Sequence, residues 1–480
     1  MLRERSPTPS VRVKLDRGPE ADHVTVVAPP ADYRYTSKRP FKEAAVLGLS
    51  WFFVYTSFQA IQNLQSSLHQ HGGLGVASLA CVYGSNFICS FFTPAIIYNT
   101  GVKKAICAAW LGHCLFVACN FYPHWATLIP GAIIMGFLNC PLWTSLEIYM
   151  TALARVHMAD KKGQTTFHAS FSRLNGVFFC IFMGSQLSGN LISSTILFQS
   201  DYDQAGEVLQ VQADLLEPGG EAAEVGASQC GINFCSSAGQ RKKLIVPPDQ
   251  HVVYALMAVF LACEVIGLMV TAVWLPDLEQ PRWRGRDVWR KLTSHLESLT
   301  NPKLWLLVPF LMSRMMNLAL EVGTFTEAYI SCTLGIRMVG FIMATWGLAT
   351  VISAPCLGWL ARYTGRQVLC VSALAFDAII FLVLTLWEPR VDELNTFFGL
   401  AILMGLVEGI WVVQVNAMIA STFPTTTDSA FAAKGMWSSL SMAATFLMAT
   451  FFCPLTRIYV AIGLIVLAMM GYLALEIFHI

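Results

Sequence analysis

Glu147, Arg173, Glu264, Arg314, Glu321, Asp377 and Glu408 all stand inside long apolar runs of the chain. In hydrocarbon an ionisable side chain costs about 2.5–3.5 kcal/mol, so each needs a partner or a water-filled cavity. Two kinds of chemistry suit them. A carboxylate beside an aromatic ring offers a cation both a charge and a ring quadrupole. A carboxylate facing a guanidinium instead neutralises it and pins two helices together. The spacing supports either. Arg314, Asn317 and Glu321 recur at i, i+3, i+7 and share one helix face. Trp143 and Glu147 are i, i+4 neighbours, as are Gln59 and Asn63; Glu408 and Trp411 are i, i+3 neighbours. Ion pairs such as Glu147–Arg173 or Arg314–Glu321 would be the pinning version. Glu264 and Asp377 fall on helices expected at the periphery, and no role is assigned to Asp377.

These residues need a scaffold that crosses a membrane. The chain has 480 residues, of which 55% are hydrophobic and 13% charged. A soluble domain carries about 25% charged residues, enough to face water on every side. A spanning helix needs about 20 mostly apolar residues. Such runs occur at 43–68, 74–98, 104–121, 124–153, 167–197, 252–275, 303–330, 334–360, 367–387, 396–420, 430–453 and 456–477. They are too continuous for barrel strands, which alternate over about ten residues. The expectation is an all-α membrane protein with twelve transmembrane helices.

Basic residues set the orientation. With the N-terminus in the cytoplasm, 23 lysines and arginines fall inside, six outside, and Arg173 and Arg314 within helices. Both termini are then cytoplasmic, and the plasma membrane is the expected location. Residues 1–42 are rich in charge and proline and read as a disordered cytoplasmic tail. Residues 43–275 form a first six-helix half with a long outer loop at 198–251, 276–302 a cytoplasmic linker, and 303–480 a second half. Trp283–Leu292 in the linker is basic and aromatic; it reads equally as a helix lying on the anionic inner leaflet or as a solvated segment.

The halves repeat. Pro94-AIIYNT-Gly101 follows the second run and Gly358-WLARYT-Gly365 the eighth, at an offset of 264 residues. Met135-Gly136 precedes Trp143 and Glu147 in the fourth run, and Met404-Gly405 precedes Glu408 and Trp411 in the tenth. Two six-helix halves around a long central loop are the major facilitator architecture, with a cavity between them. Helices 1, 4, 7 and 10 line that cavity, which favours Glu147, Glu321 and Glu408 as its polar lining.

Other chemistry finds little support. A net charge of +1 gives no reason to expect nucleic-acid binding. No GxxxxGK[ST] phosphate loop, GxGxxG or GxSxG occurs, so no cofactor is called for and no enzyme is expected. Of 14 cysteines, only Cys230 and Cys235 lie in a polar loop. They suit a local disulfide in an oxidising compartment, or two free thiols. No nearby His or Cys completes a tetrahedral metal site, so no metal is assigned.

Leu64–Leu68 (LQSSL), Gly73–Val76 (GLGV), Val82-Tyr83-Gly84, Pro141–Trp143 (PLW), Gly189–Ser194 (GNLISS), and Cys230-Gly231 with Cys235 form an ordered set. Together they resemble the Unc-ninety-three (uncoordinated) family, a branch of the major facilitator superfamily, over residues 41–477. The resemblance implies a non-enzymatic multi-pass protein embedded in lipid. It further implies a regulatory partner of an ion channel, such as a two-pore-domain potassium channel. Some members are instead orphan solute carriers, which keeps a secondary transporter of an organic solute or cation as the alternative. The superfamily's loop motif places an Asp four residues after its first Gly. Here Arg362 and Tyr98 stand at that position, and Pro94 replaces the first copy's Gly. The charge that normally latches one transport state is therefore missing.

Overall fold

Proline at a helix's first turn loses nothing, because its missing N–H would have no partner there. α1 accordingly starts at Pro40, three residues before the expected 43. The computed structural model describes residues 39–160, 167–198, 230–235, 248–278, 301–423 and 427–477. Nearly all of the expected tail and linker, with Trp283–Leu292, lie outside the described residues. In chain order the helices are α1 (Pro40–Leu68), α2 (Leu74–Ser90), α3 (Val102–Cys119), α4 (Trp125–Asp160), α5 (Ala169–Phe198) and α6 (Gln250–Trp274). They continue as α7 (Pro302–Leu334), α8 (Ile336–Thr364), α9 (Arg366–Leu386), α10 (Leu394–Thr422), α11 (Thr427–Phe451) and α12 (Pro454–Ile477).

Ten of these, all but α2 and α11, are long and apolar enough to cross a membrane. α2 is apolar but has 17 residues. The run expected at 74–98 breaks at Phe91–Phe92 and resumes as Thr93–Thr100. Pro94 explains the break: it has no N–H to give to the Ser90 carbonyl, so the ladder of helix bonds stops there. α11 spans 25 residues but carries Asp428, Lys434 and several serines, which lower its hydropathy.

The repeat seen in the loops is present in the backbone. Gly101, between the short helix Thr93–Thr100 and α3, has φ 90 and ψ 152; Gly365, between α8 and α9, has φ 83 and ψ 155. That region is open to glycine alone. Ser67 Oγ at the end of α1 lies 2.7 Å from Ser331 Oγ near the end of α7, again 264 residues apart. Equivalent residues thus touch each other where the two halves meet.

This end of the bundle is a seam between halves. Ser194 Oγ of α5 donates to the Arg337 carbonyl of α8 at 2.6 Å. A Cβ on Gly340 would collide with the Asn190 carbonyl, so only glycine lets α5 and α8 approach so closely. Tyr83 of α2 stacks on Phe446 of α11 at 5.9 Å.

The expected Cys230–Cys235 bridge is corrected here. Cys230 is bonded to Cys332, in the last turn of α7, and Cys235 to Cys453, in the turn between α11 and α12. The segment between the two cysteines packs inward rather than closing on itself. Phe234 is buried, and Gly231 turns at φ +69 against Pro389 and Tyr329. We call this the cystine end.

In the α1–α2 turn at the same end, His69 Nε2 pairs with Asn120 Oδ1 at 2.9 Å. Burial lowers the imidazole's pKa from 6.5 to about 4, and the Asn120 bond only partly opposes this. The folded protein keeps His69 neutral where an unfolded chain would protonate it. Its stabilisation is complete above 6.5 and lost as pH falls towards 4. Thermal unfolding across that window is expected to show a fall of about 3 kcal/mol that His69→Gln flattens.

Candidate functional site

Polar side chains in the middle of the bundle gather mainly in the second half. Arg314 of α7 forms an ion pair with Glu408 of α10 through Nη2 and Oε1. Both side chains are 11% exposed. One turn beyond Asn317, α7 changes to π winding over Glu321–Ser331, and every residue of that stretch is buried. π turns are rare and cluster at functional positions, because they re-aim side chains within a helix. Here the change begins at Glu321. Its Oε2 accepts from Trp346 Nε1 of α8 at 3.1 Å. Asp377 of α9 accepts from Trp411 Nε1 of α10 at 3.0 Å. Asn317 of α7 lies beside Asp377, within reach of its carboxylate. Lower in the half, Lys434 Nζ of α11 donates to Asn416 Oδ1 of α10 at 2.6 Å.

The first half uses its polar groups differently. Gln59 Oε1 accepts from Ser185 Oγ at 2.9 Å, and Asn63 Nδ2 donates to Asn190 Oδ1 at 2.9 Å. Their shared face joins α1 to α5. Trp143 is exposed at 38%, with its ring against Tyr55 and Phe182. Glu147 and Arg173 are also exposed. The charge on Glu147 acts on Lys434 across the two halves. Buried completely between α3 and α6, His113 Nδ1 lies 3.8 Å from Glu264 Oε1. His113 Nε2 meets Asn139 Oδ1 at 3.2 Å.

The sequence-derived residues are therefore only partly united. Arg314, Asn317, Glu321, Glu408 and Trp411 come together; Gln59 and Asn63 serve helix packing. Arg314 pairs with Glu408 rather than Glu321, because α10 presents a carboxylate directly to it while Glu321 is drawn to Trp346. Asp377, expected at the periphery, is 2% exposed and belongs to the cluster. Trp346, Lys434, Asn416 and His113 were not foreseen. A signal for one of them was present: at the loop offset of 264, His113 of α3 aligns with Asp377 of α9.

An all-α membrane bundle of two repeated halves, with charges paired in its interior, is a major-facilitator-type protein. Solved structures agree on that fold. A crystal structure of a mutant of the nucleoside transporter NupG matches at TM-score 0.58 and 10% identity, covering 90% of this chain and 99% of that one. Another NupG structure matches at 0.54 and 12% identity, covering 90% and 98%. Residues 67–478 match the family profile described as "Ion channel regulatory protein UNC-93". The chain belongs to the UNC-93 family. Protein unc-93 homolog A of Bos taurus is 30% identical over 442 residues, 91% of this chain and 93% of the relative. The "Putative potassium channel regulatory protein unc-93" of Caenorhabditis elegans is 28% identical over 445 residues, 90% of this chain and 60% of the relative.

Proposed function

We propose that this chain is a non-enzymatic regulatory subunit of a potassium channel, with the two-pore-domain class as its partner. The Arg314–Glu408 pair carries the reading from the structural side. It spends the charge of α7 on α10 of the same half, as a scaffold does, rather than leaving it for a solute. The name of the Caenorhabditis elegans relative supports the choice of channel. The missing Asp of the loop motif fits a protein that no longer latches a transport cycle.

We place the cystine end outside the cell, with both termini cytoplasmic, in the plasma membrane. Two disulfides at that end suit an oxidising compartment, and the distribution of lysine and arginine along the sequence assigns the opposite side to the cytoplasm. The division into two halves joined by 276–302 follows from the same reading.

One observation favours a secondary transporter of an organic solute or cation instead: Glu147 and Lys434 act on each other across the halves. Co-expression with a two-pore-domain potassium channel separates the two. The regulator is expected to change current or surface level and to co-purify with the channel. No change in all three, with gradient-driven solute uptake by liposomes, would move the assignment to transport.

A further inference from the structure

α5 of the first half and α8 of the second meet along a line set by two glycines. Gly340 of α8 lies against the Asn190 carbonyl, and Gly347 against the side chain of Gln186; a Cβ at either would collide. Gly347 stands seven residues after Gly340, so both are on one face of α8. Small residues let two helices in lipid approach this closely. Beside the seam runs a groove of about 330 Å³. Leu187 and Leu191 line it from α5, Phe341 and Leu348 from α8, and Leu394 and Phe398 from α10. Sites for small molecules hold about 300–1,000 Å³, so the space is large enough for a ligand.

The groove faces lipid. Leu191, Leu348 and Leu394 are exposed, so it opens on the surface of the bundle. The polar groups of α5 at this level turn the other way. Asn190 accepts from Asn63 of α1, and Ser194 donates to the Arg337 carbonyl. Among the described lining residues, Thr345 is the one with a polar side chain, and its hydroxyl donates back to the Phe341 carbonyl at 3.1 Å. The lining therefore presents apolar atoms to a medium that holds no water.

A cation marks one end of this groove. Arg337 is the second residue of α8, at the cystine end. Its guanidinium lies over the ring of Phe198, 5.3 Å from the centroid. Phe198, at the end of α5, packs edge-on against Phe341 at 6.5 Å. Two rings thus connect the charge to the lining. A guanidinium is always charged, matches phosphate with its planar fork, and can lie on an aromatic face while doing so. The other end is set by length. Leu348 is eleven residues beyond Arg337 on α8, and Leu187 eleven residues before Phe198 on α5. At 1.5 Å per residue both distances are about 16 Å. Half of the hydrocarbon core of a bilayer is about 15 Å. The groove is as deep as one leaflet, and its cation stands at the level of the headgroups. A sterol would match the depth but would bring only a hydroxyl to Arg337.

We propose that the groove between α5, α8 and α10 binds one phospholipid of the leaflet at the cystine end, with its phosphate at Arg337 and an acyl chain running down to Leu348. The lipid lies along a joint between the halves, touching α5 of the first and α8 and α10 of the second. The site goes beyond the channel-regulator reading and does not rest on it, since a regulator and a transporter would both carry the groove.

Photo-crosslinking of the full chain in nanodiscs tests the site. The discs contain phosphatidylcholine with a trace of phosphatidylcholine that carries a diazirine in one acyl chain, and adducts are located by peptide mass spectrometry. Adducts on residues 187–191 and 341–348 are expected at several-fold the yield found at other exposed apolar positions, such as Leu382 of α9 and Leu467 of α12. A diacylglycerol with the same photoactive chain and no phosphate is expected to lose that enrichment in the wild-type chain, which reads the headgroup without any substitution. Leu348→Trp, which fills the groove from its open side, and Arg337→Gln are each expected to reduce the enrichment several-fold, and Arg337→Lys to keep most of it. Adducts spread evenly over the lipid-facing helices would overturn the proposal and leave the groove as ordinary lipid-facing surface. Equal enrichment with the diacylglycerol would overturn it as well. Loss of the adducts on adding a sterol would also overturn it, because the sterol would then be the occupant.

Discussion

Arg314→Met is expected to lower the stability of the folded bundle by about 3–5 kcal/mol, the cost of breaking a buried ion pair from one side. Glu408 is 8% exposed and lies near the middle of α10, and Arg314 is the basic group in direct contact with it. Removing the guanidinium leaves that carboxylate in a medium that disfavours charge. The reverse change, Glu408→Leu, strands Arg314, whose Nε is already buried without a hydrogen-bond partner. Neither single substitution measures what the pair contributes. The double variant Arg314→Met/Glu408→Leu does, because it removes both charges and fills the space with apolar atoms. It is expected to recover most of the loss. Unfolding in mixed micelles, read by tryptophan fluorescence, checks the cycle. Single variants that cost less than about 1 kcal/mol would mean that the pair behaves as a surface pair screened by water. That result would also remove the structural support for the scaffold reading.

The route from sequence to this pair shows where sequence reasoning reaches and where it stops. Hydropathy locates helices because every spanning segment must bond its own backbone. It misses the break at α2, where Pro94 interrupts an apolar run, and still locates α11, although serines and Lys434 dilute its hydropathy. Periodicity correctly places Arg314, Asn317 and Glu321 on one face of α7. It says nothing about which neighbouring helix supplies a partner, and so it suggests Arg314–Glu321 within the helix. The partner came from α10, 94 residues away. π winding from Glu321 onward also changes the direction of side chains in a way that a fixed period of 3.6 does not follow. The internal repeat had more to give. Carried from the loops into the helices, it aligns His113 with Asp377 and marks both as polar positions in otherwise apolar segments. Cysteine pairing is the opposite case. Cys230 and Cys235 are near each other in sequence, and only the folded chain reveals that each is nearer to a cysteine of the second half.

That pairing leads to the second large effect. Cys230→Ser and Cys332→Ser are each expected to cost about 2–4 kcal/mol, and the double variant no more than either single one. Cys235→Ser and Cys453→Ser should behave the same way as a second couple. The argument is one of chain entropy. These bridges close segments of 102 and 218 residues, which an unbridged, unfolded chain would leave free. A Cys230–Cys235 bridge would instead close a loop of a few residues and constrain little. Peptide mapping without reductant distinguishes the alternatives directly: fragments joining 230 to 332 and 235 to 453 are expected, and a 230–235 fragment would overturn the assignment. The mechanical consequence is specific. The loop springs from α5 and α6 of the first half, while its anchors belong to α7 and the α11–α12 turn of the second. Reductant is therefore expected to loosen the cystine end, raising hydrogen exchange around Phe234 and Tyr329, while the Arg314–Glu408 region keeps its protection. Equal loosening at both places would mean that the clamp supports the whole second half rather than its end.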